Sequence, residues 1–176
     1  MPQDAAVAQL FIKEVRTRLA ASHQRIVHCV SQLSDQQLWW RPQDTMNSIA
    51  NIILHLCGNV RQWIVSGVTG SDDNRNRPNE FTDRSMLATS ELLTRLETIV
   101  SEADRILSGV NSNQLMEARR IQDFDETVMS AILNSVTHFN GHAQETVYIT
   151  RLQLGSNYQY AWVPSSPEQG APASTQ

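Results

Sequence analysis

Apolar residues recur at intervals of three and four along four long stretches of the chain, the spacing that lines one face of an α-helix. The first stretch runs from about Asp4 to Leu33 through Val7, Leu10, Phe11, Val15, Leu19, Ile26, Val27 and Val30, with no Gly or Pro inside it. Asp4 stands where an N-cap is expected. The second opens at Asn47 or Ser48, carries Ile49, Ile52, Ile53, Leu56, Val60, Trp63 and Ile64, and stops near Gly67 to Gly70. The third runs from about Thr89 to Val110 through Leu92, Leu96, Ile99, Val100, Ala103 and Leu107. The fourth begins near Asp125 and continues through Val128, Ile132, Val136, Phe139, Ala143 and Val147 to Leu152. Gly155 follows it, as glycine commonly does just beyond a helix.

The connections are polar. Ser34 and Gln37 have the spacing of a capping box for a short helix. Residues 70–84 read as an exposed loop that must cross the bundle, and residues 111–124 show neither period, so no strand is assigned there. Four amphipathic helices with a long connection predict an all-α fold, an antiparallel four-helix bundle with a long crossover. Such a bundle can hold a metal site between facing helices. One domain is expected over residues 1–164. Residues 165–176, rich in Ser, Pro, Gln and Ala, read as a disordered tail.

Composition narrows the partners. The 176 residues are 40% hydrophobic, enough for a sizeable core, and 18 acidic against 14 basic residues give a net charge of -4. With no Lys/Arg cluster, neither nucleic acid nor an anionic membrane is an expected partner. No apolar run approaches the roughly 20 residues of a membrane span, and the opening M-P-Q-D-A-A-V-A does not resemble a secretory leader. Cys29 and Cys57 are the only cysteines, too few for a disulfide framework. The expected setting is cytoplasmic.

Histidines then change the picture. His138 and His142 form an H-x-x-x-H pair, and residues four apart on a helix stack on one face. His55 sits on the second helix. Three imidazoles from two facing helices would supply three nitrogen ligands and leave a coordination position open, as catalytic metal sites do. Ligand nitrogens around one such ion are expected within roughly 3–4 Å of one another. On the second helix, Ser48, Asn51, His55, Gly58, Asn59 and Gln62 form a polar and small-residue stripe, and Asn134, His138, His142 and Glu145 form another on the fourth. The competing reading makes both stripes plain water-facing surfaces. Glu145 and Asn59 share a face with a ligand and are the candidates to orient an imidazole N–H. Phe139 occupies the position of the general base in H-E-x-x-H, so the metalloprotease pattern is absent, as is any Glu-x-x-His. His23 and His28 read as surface or packing residues, Cys29 and Cys57 as small core residues, and Trp39–Trp40 as a core cap that could alternatively wall a pocket.

The segments S-I-A-N-I-I-L-H-L-C-G-N-V-R-Q-W-I and H-F-N-G-H-A-Q-E-T-V-Y-I-T-R resemble the DinB-like superfamily, which includes thiol-dependent transferases of the mycothiol and bacillithiol type. With L-W-W-R-P before the second helix and Y-Q-Y after the fourth, the chain is most similar to a bacterial branch of unknown function. The resemblance spans about Val7 to Pro164. It implies a four-helix bundle and a divalent metal, zinc or nickel foremost, held by His55, His138 and His142. It also implies a transferase that activates a low-molecular-weight thiol, acting on a small-molecule substrate, and a homodimer. Phe11, Val15 and Trp63, which one bundle core need not absorb, point the same way on assembly. A metal-dependent hydrolase and a non-catalytic metal-binding or stress-response module are the alternatives.

Overall fold

The computed structural model describes residues 3–162, so the tail assigned to residues 165–176 lies outside the described residues. Four long helices build the core. Helix α1 (Gln3–Val30) is followed by the short α2 (Asp35–Trp39), then α3 (Ile49–Val60), which runs on through a π-helical stretch, Arg61–Ser66, into the last turn α4 (Gly67–Thr69). After α5 (Arg77–Thr82) come α6 (Thr89–Ser108), α7 (Ser112–Leu115), a hairpin of β1 (Ala118–Ile121) and β2 (Phe124–Thr127), and α8 (Val128–Leu154). Among the described residues no helix is long and apolar enough to cross a membrane.

Local chemistry sets the boundaries. Ser48 caps α3 by accepting from the Asn51 amide, and Ser34 with Gln37 forms the expected capping box. Thr127 and Ser130 form a second box at the start of α8. Gly155 ends α8 at φ 54°, a conformation costly for residues with a Cβ. Asp4 lies in the first turn of α1 rather than at its cap, where a carboxylate still favours the positive end of the helix dipole.

Cross-helix pairs fix the topology. Arg16–Asp104 and His23–Glu97 make α1 antiparallel to α6, and His55–His138 with Asn59–Ser135 make α3 antiparallel to α8. Ser22–Asn140 and Cys29–Tyr158 ascend together, so α1 and α8 run the same way. Helices α3 and α6 also run the same way, Gly58 lying by Thr94 and Arg61 by Glu102. The order is up, down, down, up. Two consecutive helices pointing down require a return along the length of the bundle, and residues 70–88 are that crossover.

The crossover retraces α3. Asp73 reaches Gln62, Glu80 reaches His55, and the carbonyls of Glu80 and Asp83 accept from Asn51 at 2.9 and 3.2 Å. Trp39 then donates its indole N–H to the Leu87 carbonyl at 3.0 Å. The stripe Ser48, Asn51, His55, Asn59 and Gln62 is buried, with polar groups of the crossover roofing Asn51, His55 and Gln62. The water-facing reading of that stripe is wrong, whereas residues 70–84 cross the bundle as expected and are mostly exposed, with Arg75, Glu80, Phe81 and Asp83 half-buried against α3.

Two further expectations change. Residues 118–127 form an antiparallel hairpin whose turn places Gln122 and Asp123 at φ 50° and 68°. Positive φ at both turn positions is the twist that a two-residue hairpin requires. Phe11, Val15 and Trp63 are absorbed within the chain: Val15 and Phe11 join the main core, and Trp63 packs with Ile121 and Ala131 in a second cluster under the hairpin. The tryptophan pair divides, Trp39 buried in the core and Trp40 lining a surface hollow with Pro42 and Leu152.

Candidate metal centre

His55 comes from the middle of α3 and His138 and His142 from one face of α8, at the level where these antiparallel helices cross. The three rings stand edge to face, with centroids 5.1, 5.1 and 4.5 Å apart. Their candidate ligand nitrogens lie within 4.8 Å of one another, slightly wider than the expected spread, and the Nε2 atoms of His55 and His138 are 2.8 Å apart.

Each orientation has a cause. His55 Nδ1 lies 2.9 Å from Glu80 Oε2, and His142 Nδ1 lies 2.7 Å from Glu145 Oε2. A carboxylate only accepts, so both Nδ1 atoms carry the ring proton and both Nε2 atoms keep a lone pair facing inward. Between the two Nε2 atoms 2.8 Å apart, His55 accepts and His138 donates. Arg75 Nη2 also lies 3.1 Å from His55 Nδ1, but a protonated Nδ1 cannot accept from it. The guanidinium instead donates to both Glu80 oxygens at 2.7 Å. Of the two candidates to orient an imidazole N–H, Glu145 hydrogen-bonds His142 rather than standing as a plain solvated carboxylate. Asn59 does not: its Oδ1 accepts from Ser135 Oγ at 2.8 Å.

Arg75 and Glu80 were not singled out in the sequence. Their side chains are 3% and 10% exposed, and Arg75 also donates to Gln62 at 2.9 Å. Gly58 makes the approach possible, since a Cβ there would lie 1.9 Å from Glu80 Oε1. A glycine one turn from a histidine on a buried helix was the available signal. Gln62, which holds Arg75 and meets Gln122 of the hairpin, lies in the π-helical stretch, an irregularity frequent at functional sites.

The electrostatics keep His55 and His138 neutral. Burial pushes His138 down to about 4, helped by the charges of His142, His55, Arg75 and Arg77. Burial lowers His55 as well, against the hydrogen bond it donates to Glu80. For Glu80, burial raises the carboxyl, but Arg75 and His55 outweigh it and hold it below its ordinary value. The His142 hydrogen bond lowers Glu145. Neutral His55 and His138 beside ionised carboxylates are in protonation states that metal ligation needs. Among the described residues no thiol or further carboxylate joins the three histidines as a ligand. Cys57 faces α6, and burial pushes its thiol up to about 12. Phe139 is fully buried.

Residues 6–167 match the model of DUF1572, a family described as proteins of unknown function. No curated protein matches the chain. Among solved structures, a conserved protein from Enterococcus faecalis is similar at TM-score 0.70 and 16% identity, over 81% of this chain and 96% of that one. A DinB-like protein from Bacillus cereus ATCC 10987 is similar at TM-score 0.64 and 10% identity, over 81% and 90%. At these identities the likeness establishes the fold, and the DinB-like fold with its three clustered histidines fits metal binding.

Proposed function

This chain belongs to the DUF1572 family of proteins of unknown function, and we propose that it is a metal-dependent enzyme whose His55, His138 and His142 hold one divalent ion, zinc or nickel. The observation that carries this is the pair of Nδ1–H bonds to Glu80 and Glu145, which turn the Nε2 lone pairs of His55 and His142 inward. A divalent ion bound there would lower the pKa of a small molecule at its open position. Glu80, locked by Arg75, orients His55, and Glu145 orients His142. A fourth position on such an ion would stay open, since no other His, Cys, Asp or Glu joins the three histidines among the described residues and the His142 side chain is 20% exposed.

On the family resemblance, that small molecule is a low-molecular-weight thiol, and the reaction is its transfer to an electrophilic substrate. The test is turnover of small thiols with an electrophile by zinc- or nickel-loaded protein, compared with His142→Ala. Turnover lost in the variant supports thiol transfer. Ester hydrolysis in its place would make the protein a hydrolase, and neither activity would leave a binding module. The protein acts as a cytoplasmic homodimer: Val7 and Leu10 on α1 and Leu133 on α8 are exposed and offer a second copy an apolar surface. Light scattering that reads a monomer at high concentration refutes the dimer.

A further inference from the structure

Arg77 stands one ring away from His55, with no acidic partner among the described residues. Among the described residues it makes neither an ion pair nor a hydrogen bond, and its guanidinium carbon lies over a ring, 5.0 Å from the centroid of Phe81. The Phe81 ring in turn packs against His55, centroids 4.8 Å apart and tilted 35°. An exposed arginine is ordinarily a solvated, wandering charge. This one is tethered by a cation–π contact to the ring that covers a histidine of the site.

The remaining charges leave that cation unspent. Glu80 is committed to Arg75 and His55, and Glu145 to His142. The charges of Arg75 and a divalent ion together already exceed these two carboxylates before Arg77 is counted, so positive charge is left for the incoming molecule to neutralise. We propose that Arg77, held on Phe81, is a specificity-determining residue that selects an anionic ligand, a small molecule bearing a carboxylate beside the group that meets the ion. This inference rests on the metal reading above and adds to it the charge of the ligand.

The experiment uses full-length protein loaded with Co2+, titrated with mercaptoacetate and with the neutral thiol 2-mercaptoethanol, following the sulfur-to-cobalt charge-transfer band. Arg77→Gln and Arg77→Lys are titrated in parallel. Comparing each thiol pair across proteins cancels the intrinsic difference between the thiols. In the wild type and Arg77→Lys the preference for mercaptoacetate should exceed that of Arg77→Gln by roughly fivefold, the size of an exposed ion pair. Affinity for 2-mercaptoethanol should be the same in all three. Equal preference in wild type and Arg77→Gln overturns the inference while leaving the metal site standing. Failure of the wild type to bind Co2+ overturns the metal reading itself.

Discussion

The carboxylate of Glu80 accepts two hydrogen bonds from a buried guanidinium and one from His55, so it stays ionised and the imidazole stays in one tautomer. Replacing it with an amide, Glu80→Gln, removes the charge that both partners need. Metal affinity should fall roughly 10- to 100-fold, the usual effect of losing such a partner. Arg75, 3% exposed, would also lose its counter-charge, so the melting temperature should drop. Glu145→Gln, at a more exposed carboxylate, should cost less on both counts. Equilibrium metal titration and thermal melting check both variants, and unchanged affinity in Glu80→Gln would remove its orienting role. The histidines were legible because their identity and spacing are written in two helices. Glu80 was not, because an acidic residue in a charged loop carries no sign of where that loop will lie.

At the scale of elements, the crossover and α3 act as one unit, and Gly58 is where they touch. Alanine normally stabilises a helix interior over glycine by roughly 0.5–1 kcal/mol. Here a Cβ would meet Glu80 Oε1 at 1.9 Å and Arg75 Nε at 2.9 Å. Gly58→Ala should therefore destabilise, by roughly 1–3 kcal/mol as overpacking does, and weaken metal binding with it. Chemical denaturation reads the sign, and a stabilised variant would mean that the crossover does not seat on α3. The four long helices were readable from period alone, as was the need for a crossover. The hairpin was not. Its turn residues, Gln122 and Asp123, lack the glycine that usually marks φ above zero, and Gln122 is held by Gln62 across the fold. The same burial that roofs the α3 stripe made a polar face look like a surface.

Over the whole molecule, stability should carry a histidine signature separate from the metal site. His23 is buried in α1, its Nε2 has no hydrogen-bond partner, and Glu97 lies 3.4 Å away without bonding it. Burial lowers its pKa despite the Glu97 charge. A lowered folded pKa means that the unfolded chain takes up the proton first. The contribution of His23 is thus complete above about 6.5, the ordinary histidine value, and is lost as pH falls below it. Melting temperatures from pH 7.5 to 5 should fall less steeply in His23→Leu than in the wild type, and parallel curves would contradict this. The bundle does not depend on an ion for its core, so His138→Ala should keep its helical circular dichroism. The most direct measurement is competitive titration of chelator-stripped protein with Zn2+, wild type against His138→Ala. One ion bound per chain in the wild type and none in the variant is the result expected of His55, His138 and His142 as a metal centre. No stoichiometric binding by the wild type, or equal binding by the variant, would contradict it.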